Sequence, residues 1–232
     1  MSRTRSAAFA CVAVVAAATT AFGLTFDQVR VEDWAASGLG AGEEAMCIVS
    51  FPDGYNAAFG YRFDRAHTLT RPPSQFASTY GFDVPADKAE AMLLALDDQT
   101  SLDVLYHYHD IYGFGVDGFT CDGHLLDTDG WITTFPGYWV SGMPEFTDFF
   151  GTTHAAWEGD GQTWLPGELG PSTRTFQNGD WDGWTKEYIV NGFIPVTEPT
   201  VPLQPIIPEP ASLVLVALGC VALGRRYRRA WR

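Results

Sequence analysis

Two apolar runs, one near each end of the chain, limit which residues can form a soluble fold. Residues 7–18 follow two arginines, and residues 211–224 precede an arginine cluster that begins at Arg225. Apolar runs beside clustered positive charge are typical of segments that enter a membrane. The fold must therefore be built from the residues between them, and about 170 residues are enough for one domain with its own core.

The first 23 residues have the three parts of a secretory signal peptide. Arg3 and Arg5 give a basic start, residues 7–18 an apolar centre, and small residues follow. Cleavage after Ala21 and cleavage after Gly23 both fit. The apolar centre is shorter than the roughly 20 residues that a membrane span needs. We therefore expect export, with signal peptidase as the first processing partner.

The C-terminal apolar run is predicted to form a short transmembrane segment. Its 14 residues make about 21 Å of helix, against a bilayer core of about 30 Å. Such a segment can reach further when its arginines extend toward the membrane interface. The upstream Ile206 and Ile207 add to its apolar length. The arginine cluster is expected to stay in the cytoplasm, so the exported chain is held by its tail.

The chain end carries Pro208-Glu209-Pro210, then the apolar run, then a cluster that starts with Arg225 and Arg226. In this order the three parts of residues 208–232 resemble the PEP-CTERM sorting signal of bacterial surface proteins. The resemblance implies recognition by an exosortase-type membrane protease, cleavage near the motif, and release or transfer to the cell exterior. It also implies a host that makes extracellular polysaccharide. A proline-containing linker before an ordinary tail anchor is the alternative.

Charge is distributed unevenly along the chain. Residues 24–207 contain 7 Lys plus Arg and 27 Asp plus Glu, a net charge of −20, whereas the whole chain has −14. Nucleic acids and anionic lipids are bound through Lys and Arg contacts. The exported part is therefore not expected to bind nucleic acid, and the acidic surface favours solubility.

Two of the four cysteines belong to the exported part. Cys11 lies in the signal and Cys220 in the tail, which leaves Cys47 and Cys121. An even pair outside the cytoplasm predicts a disulfide. It would close a loop of roughly 75 residues and contribute about 4 kcal/mol in the chain-entropy treatment. Two buried free thiols are the alternative.

Proline recurs through residues 195–207 with no glycine among them. This composition favours an extended polyproline II segment of about 3.1 Å per residue. We predict a semi-rigid stalk here, between a domain at 24–194 and the sorting signal.

The middle of the chain predicts an α+β domain. Residues 44–51 and 57–64 flank a Pro52-Asp53-Gly54 turn and are expected to form a hairpin. Residues 83–98 carry apolar side chains at helical spacing, which predicts one amphipathic helix, about 85–97, capped by Asp83 or Asp87. We expect that helix to pack on one sheet.

Further strands are predicted after the helix. Residues 102–109 and 112–119 alternate between apolar and polar side chains, and residues 137–140 and 173–176 are shorter candidates. The order of elements favours a β-grasp-like α+β domain. A β-sandwich with a peripheral helix is the alternative.

Four segments, 58–64, 92–96, 113–118 and 178–184, resemble in this order a group of bacterial surface proteins to which no activity is assigned. More weakly, the domain is similar to the transcobalamin-like C-terminal domain, which implies a β-grasp-like fold. Residues 138–142, Tyr-Trp-Val-Ser-Gly, depart from that family's hairpin. Cobalamin binding is therefore not carried over, and no cofactor is expected.

Two groups of residues are candidates for a site. His107 and His109 share one face of a predicted strand, where Asp122 or His124 could join them as metal ligands. An exposed polar strand face explains this pair equally well. The weaker Asp-Gly fragments at 127–130 and 180–183 lack the remaining ligands of a calcium loop and are interpreted as turns.

The second group is Trp181 and Trp184 with Asp180 and Asp182. Flat aromatic rings beside carboxylates can stack on a sugar and bind its hydroxyls. The two tryptophans are three apart, so on a strand they face opposite sides of the sheet. We expect one to lie in the core and the other to be partly exposed as a ligand-stacking candidate.

The sequence contains no Gly-x-Ser-x-Gly, phosphate loop or zinc-protease motif. We therefore expect a secreted, surface-sorted, non-enzymatic protein of the envelope or extracellular matrix, with exopolysaccharide as a candidate partner. A small-ligand or cation-binding module and a secreted hydrolase are the alternatives.

Overall fold

The computed structural model describes the predicted exported domain, except for several short ranges of residues. The described residues are 24–38, 40–70, 83–109, 113–128, 133–143, 145–147, 153–167, 170–189 and 194–204. The predicted signal peptide and the predicted sorting signal lie outside these ranges. Among the described residues, no helix is long and apolar enough to cross a membrane. The chain divides at residues 202 and 203 into two units, and the first contains the fold.

Thirteen strands and one α-helix form the described part of this unit, and a 3₁₀ turn at Phe26–Gln28 precedes them. The elements in chain order are β1 Asp33–Ser37, β2 Glu43–Ser50, β3 Asn56–Phe63, β4 Thr68–Thr70, β5 Asp83–Pro85, α1 Ala89–Gln99, β6 Asp103–His109, β7 Gly113–Cys121, β8 His124–Asp127, β9 Thr134–Ser141, β10 Phe146–Thr147, β11 Thr153–His154, β12 Leu165–Pro166 and β13 Trp181–Tyr188.

The central feature is a mixed six-stranded sheet in the order β1-β3-β2-β13-β9-β12. β2 and β3 form the predicted antiparallel hairpin. β13 returns late in the chain to pair with β2 in parallel and with β9 in antiparallel. A hairpin, a helix and a later strand parallel to the first hairpin strand confirm the predicted α+β class.

The second sheet is an antiparallel meander of β6, β7 and β8, with an irregularity at Leu105 and Tyr106. Gly118 on β7 is required by close packing, because a Cβ there would lie 2.2 Å from the carbonyl oxygen of Leu126. The short candidate at 173–176 does not form a strand. It makes only an isolated bridge between Thr175 and Lys88.

We call the side of the large sheet that meets α1 and the small sheet the inner face. Its main side chains alternate along the strands, with Cys47 and Val49 on β2 and Phe59, Tyr61 and Phe63 on β3. α1 contacts β1, β3 and β6, so it lies between the two sheets. Burial on both sides explains why every residue from Ala89 to Leu96 is buried.

The helix differs from its prediction at its start. Asp83–Pro85 forms a strand, and the N-cap is Lys88 with no side-chain cap, so neither predicted aspartate caps the helix. Proline at 85 fits an edge strand that ends there. The helix therefore begins four residues later than the predicted 85.

The opposite side of the large sheet, the outer face, is covered mainly by chain segments without regular structure. Its core contains Met46, Ile48, Trp139, Trp164 and Trp181. The segment 24–31 lies here, and Phe26 packs edge-on against Trp181 at 4.9 Å between ring centroids. We call residues 194–202 the strap, because they cross the same face.

The strap corrects the predicted stalk at 195–207. Pro195 and Pro199 are buried, and each lies over a glycine of the sheet. A Cβ at Gly137 would be 2.9 Å from Pro195 Cβ, and one at Gly183 would be 2.2 Å from Pro199 Cγ. The Arg30 amide donates to the Pro202 carbonyl at 2.8 Å. Residues 195–202 are therefore part of the domain, and 205–207 lie outside the described residues.

Candidate functional site

Of the predicted histidine pair, the structure describes the side-chain contacts of His107 but not those of His109. His107 Nδ1 lies 2.8 Å from Asp117 Oδ2, and its ring covers Gly115, where a Cβ would come within 2.6 Å. His109 ends β6, and its side chain is outside the described part. His124 pairs with Asp53, with 2.6 Å between Nδ1 and Oδ2, and not with His107. No group of three possible metal ligands occurs among the described residues.

The predicted ligand-stacking tryptophans are both buried. Trp181 is 1% exposed on the outer face and Trp184 is 2% exposed on the inner face. The expectation of opposite faces is correct. The expectation that one is partly exposed is wrong, because both faces of the sheet are covered.

Asp180 and Asp182 are also buried, and both are bound to the buried Arg174. Arg174 Nη2 lies 3.1 Å from Asp180 Oδ2, and Arg174 Nε lies 3.2 Å from Asp182 Oδ1. Tyr138 donates its hydroxyl to Asp182 Oδ2 at 2.7 Å, and Arg174 Nη2 donates to the Gly142 carbonyl at 2.6 Å. We call Arg174, Asp180, Asp182 and Tyr138 the buried ionic cluster.

Burial dominates the electrostatics of this cluster. It raises the pKa of Asp182 to about 6, although Arg174 and the Tyr138 hydroxyl act in the opposite direction. It also raises the pKa of Asp180, again against the effect of Arg174. Charges in such a site are stable only when they are paired and hydrogen-bonded. The cluster therefore fixes the segment before β13 against the sheet and has no surface for a ligand.

The turn before β13 explains how the sequence positions these carboxylates. Gly179 has a φ of +91°, a backbone conformation that favours glycine. Asp180 accepts the Gln177 amide at 2.9 Å, as expected for an aspartate in a turn. Asn178 accepts the Glu44 amide at 2.8 Å and ties the turn to the start of β2. The interpretation of 180–183 as a turn is therefore wrong: the turn lies just before this fragment, and Trp181, Asp182 and Gly183 already belong to β13.

The predicted disulfide is absent, because Cys47 and Cys121 are both free and buried. Cys47 lies on β2 and Cys121 ends β7, so the two are in different sheets. Burial raises the pKa of each thiol, and Asp182 adds to this effect at Cys47. Neither sulfur is therefore an activated nucleophile.

The residues predicted to direct sorting, Pro208, Glu209, Pro210, Arg225 and Arg226, lie outside the described residues.

An open groove occurs where β2 and β13 separate. It has a volume of about 390 Å³, within the usual range of small-molecule sites. β2 and β13 pair in parallel as far as Val49 and Trp184. β2 then enters the Phe51–Tyr55 turn, while β13 continues to Tyr188. The lining includes Ser50, Asn56, Lys186, Tyr188, Glu198 and Thr200.

Tyr188 supplies an exposed aromatic ring to this groove. It is 62% exposed and is the one aromatic among the large apolar side chains that remain exposed in the described part of the chain. Lys186, on the same face of β13, is held by Asp127 with 3.1 Å between Nζ and Oδ1. The groove therefore combines an exposed ring with hydroxyl, amide and oppositely charged groups.

A second concavity, of about 510 Å³, lies at the ends of β1 and β3. Its lining consists mainly of small residues, with Asp64 and His67 as the groups able to contact a ligand. It is larger than the groove beside Tyr188, but its described lining has no Phe, Tyr or Trp ring.

The sequence interpretation did not identify Tyr188, Asn56 or Glu198 as site residues. One signal was present, because Trp184, Lys186 and Tyr188 alternate along one strand. The pairing of that strand with β2 ends at Trp184, so neither Lys186 nor Tyr188 has a partner on β2. The strap that supplies the other wall was interpreted as a stalk, so no groove was expected.

Comparisons of the chain with protein-family models, with curated proteins and with solved structures find no match in any of the three.

Proposed function

We propose that this protein is exported, sorted at its C-terminus and retained at the bacterial surface through contacts with extracellular polysaccharide. The observation that carries the proposal is the order of parts at the chain end. Pro208-Glu209-Pro210, an apolar run and an arginine cluster follow one another there. The strongly acidic exported part supports an extracellular role, because such a surface repels nucleic acid and anionic lipid.

The domain supports a role in binding more than one in catalysis. The buried ionic cluster uses its carboxylates to hold the fold, and the two thiols have raised pKa values. The groups that remain accessible, around Tyr188, suit hydrogen bonding and stacking.

The test of sorting is Glu209→Ala in the producing cells, followed by fractionation and immunoblotting. We expect an unprocessed, membrane-held form, because the resemblance implies that the protease reads this motif. Glu198→Ala is the matched control, since Glu198 also precedes a proline but lies in the strap. Normal processing of Glu209→Ala would contradict the sorting proposal.

A further inference from the structure

The groove beside Tyr188 is formed by a divergence of two parallel strands. Their pairing ends at Val49 and Trp184, and β13 then continues for four residues while β2 turns away. Among the described residues, the β2-facing edge of 185–188 therefore has no strand partner. Ligand sites in open sheets commonly lie at the carboxyl ends of parallel strands, where such crevices open.

The strap forms the facing wall and is attached to both strands. The Thr197 amide donates to Glu187 Oε1 at 2.7 Å, and the Thr200 amide donates to Ser50 Oγ at 2.8 Å. Glu187 is in turn bonded to Thr185 Oγ1 at 3.2 Å. A wall fixed at two points keeps its polar side chains in place before any ligand arrives, which lowers the entropy cost of binding.

The chemistry of the lining suits a sugar. The exposed ring of Tyr188 offers a flat apolar surface and a hydroxyl at its tip. Ser50, Asn56 and Thr200 place hydroxyl and amide groups along the groove, where they can exchange hydrogen bonds with sugar hydroxyls. Few apolar ligands match a groove with so many polar groups.

The charge around the groove favours one class of sugar polymer over another. The described lining of the groove includes one cation, Lys186, and one anion, Glu198. Lys186 is already paired with Asp127, and residues 24–207 have a net charge of −20. A polyanionic chain would be repelled by this surface, whereas an uncharged chain would not.

We propose that this groove is a binding site for an uncharged segment of polysaccharide, with one sugar ring stacked on Tyr188. This rests on the proposed function and specifies the residues by which the protein would contact the matrix.

The test is calorimetric titration of the mature secreted protein with neutral exopolysaccharide purified from the producing cells. We expect Tyr188→Ala to lower affinity about tenfold or more, because it removes the stacking surface. Tyr188→Phe keeps the ring and should bind within about threefold of the unaltered protein. Leu165→Ala is the surface control, since Leu165 is exposed at 46% and does not line the groove. All three variants should keep the thermal unfolding midpoint, as is usual for exposed positions.

The outcomes separate this inference from the proposed function. Equal binding by Tyr188→Ala and the unaltered protein would overturn the groove site and leave polysaccharide binding intact. No binding by the unaltered protein would overturn both. Tighter binding to alginate, a polyanion, than to the neutral polymer would overturn the selection of an uncharged chain.

Discussion

The two faces of the large sheet are covered in different ways. The inner face is covered by regular elements, α1 and the small sheet, and it contains the buried ionic cluster. The outer face is covered largely by the segment 24–31 and by the strap, which have little regular structure. Stability in proteins is not uniform, and regions with few buried contacts and backbone bonds open first. The inner face should therefore determine global stability, and the outer face local opening.

The largest expected effect tests the inner face. Arg174→Met should lower the free energy of unfolding by about 3–5 kcal/mol, because it leaves two buried carboxylates without their cation. Arg30→Ala is the control, since the Arg30–Glu32 ion pair is exposed and should contribute at most about 1 kcal/mol. Urea unfolding measures both. Similar losses for the two variants would contradict the difference between the faces.

The second prediction uses the pKa of Asp182, which is about 6 in the folded protein and about 3.9 when unfolded. Between these values the folded state binds more protons, so the free energy of unfolding falls as pH rises from about 4 to 6. The contribution of this group is about 3 kcal/mol from the linkage relation. Asp182→Asn should remove it, which urea unfolding at several pH values would detect. An unchanged slope in this window would contradict the raised pKa.

The inner face was the more predictable one. Phe59, Tyr61 and Phe63 alternate on β3, and that pattern alone predicts a buried face on a hairpin. The helix was recognised from its apolar spacing, but its burial on both sides was not. Amphipathic spacing predicts that one side of a helix is covered. Glu90 is charged and so does not indicate a second covered side, although it is only 1% exposed.

The outer face could not be predicted from local patterns. Met46 and Ile48 alternate with Cys47 and Val49, so β2 appears as a continuous apolar run that suits a strand buried on both sides. Nothing local indicated which segment covers it. Prolines 195 and 199 favour an extended chain, which is true of a free stalk and of a strap alike. The groove beside Tyr188 depends on the contact between the strap and the sheet, so it could not be predicted either.

The third prediction tests the outer face and is smaller. Gly183→Ala should destabilise by about 1–3 kcal/mol, because its Cβ would overlap Pro199 and lie 2.9 Å from Trp164. Gly170→Ala is the control, since no atom lies within 4 Å of a Cβ there. Adding Pro199→Ala should partly rescue Gly183→Ala. Thermal unfolding of the unaltered protein, the two single variants and the double variant measures this coupling. Full additivity of the two changes would contradict packing between Pro199 and Gly183.

The central claim is that residues 194–202 belong to the domain and complete both its outer face and the groove. Native-state hydrogen exchange of the mature protein, resolved by residue, tests it most directly. The Thr197 and Thr200 amides donate to Glu187 and Ser50. We therefore expect both to exchange at least about tenfold more slowly than in an unfolded chain. Exchange at unfolded-chain rates at both positions would show a free stalk and contradict the account.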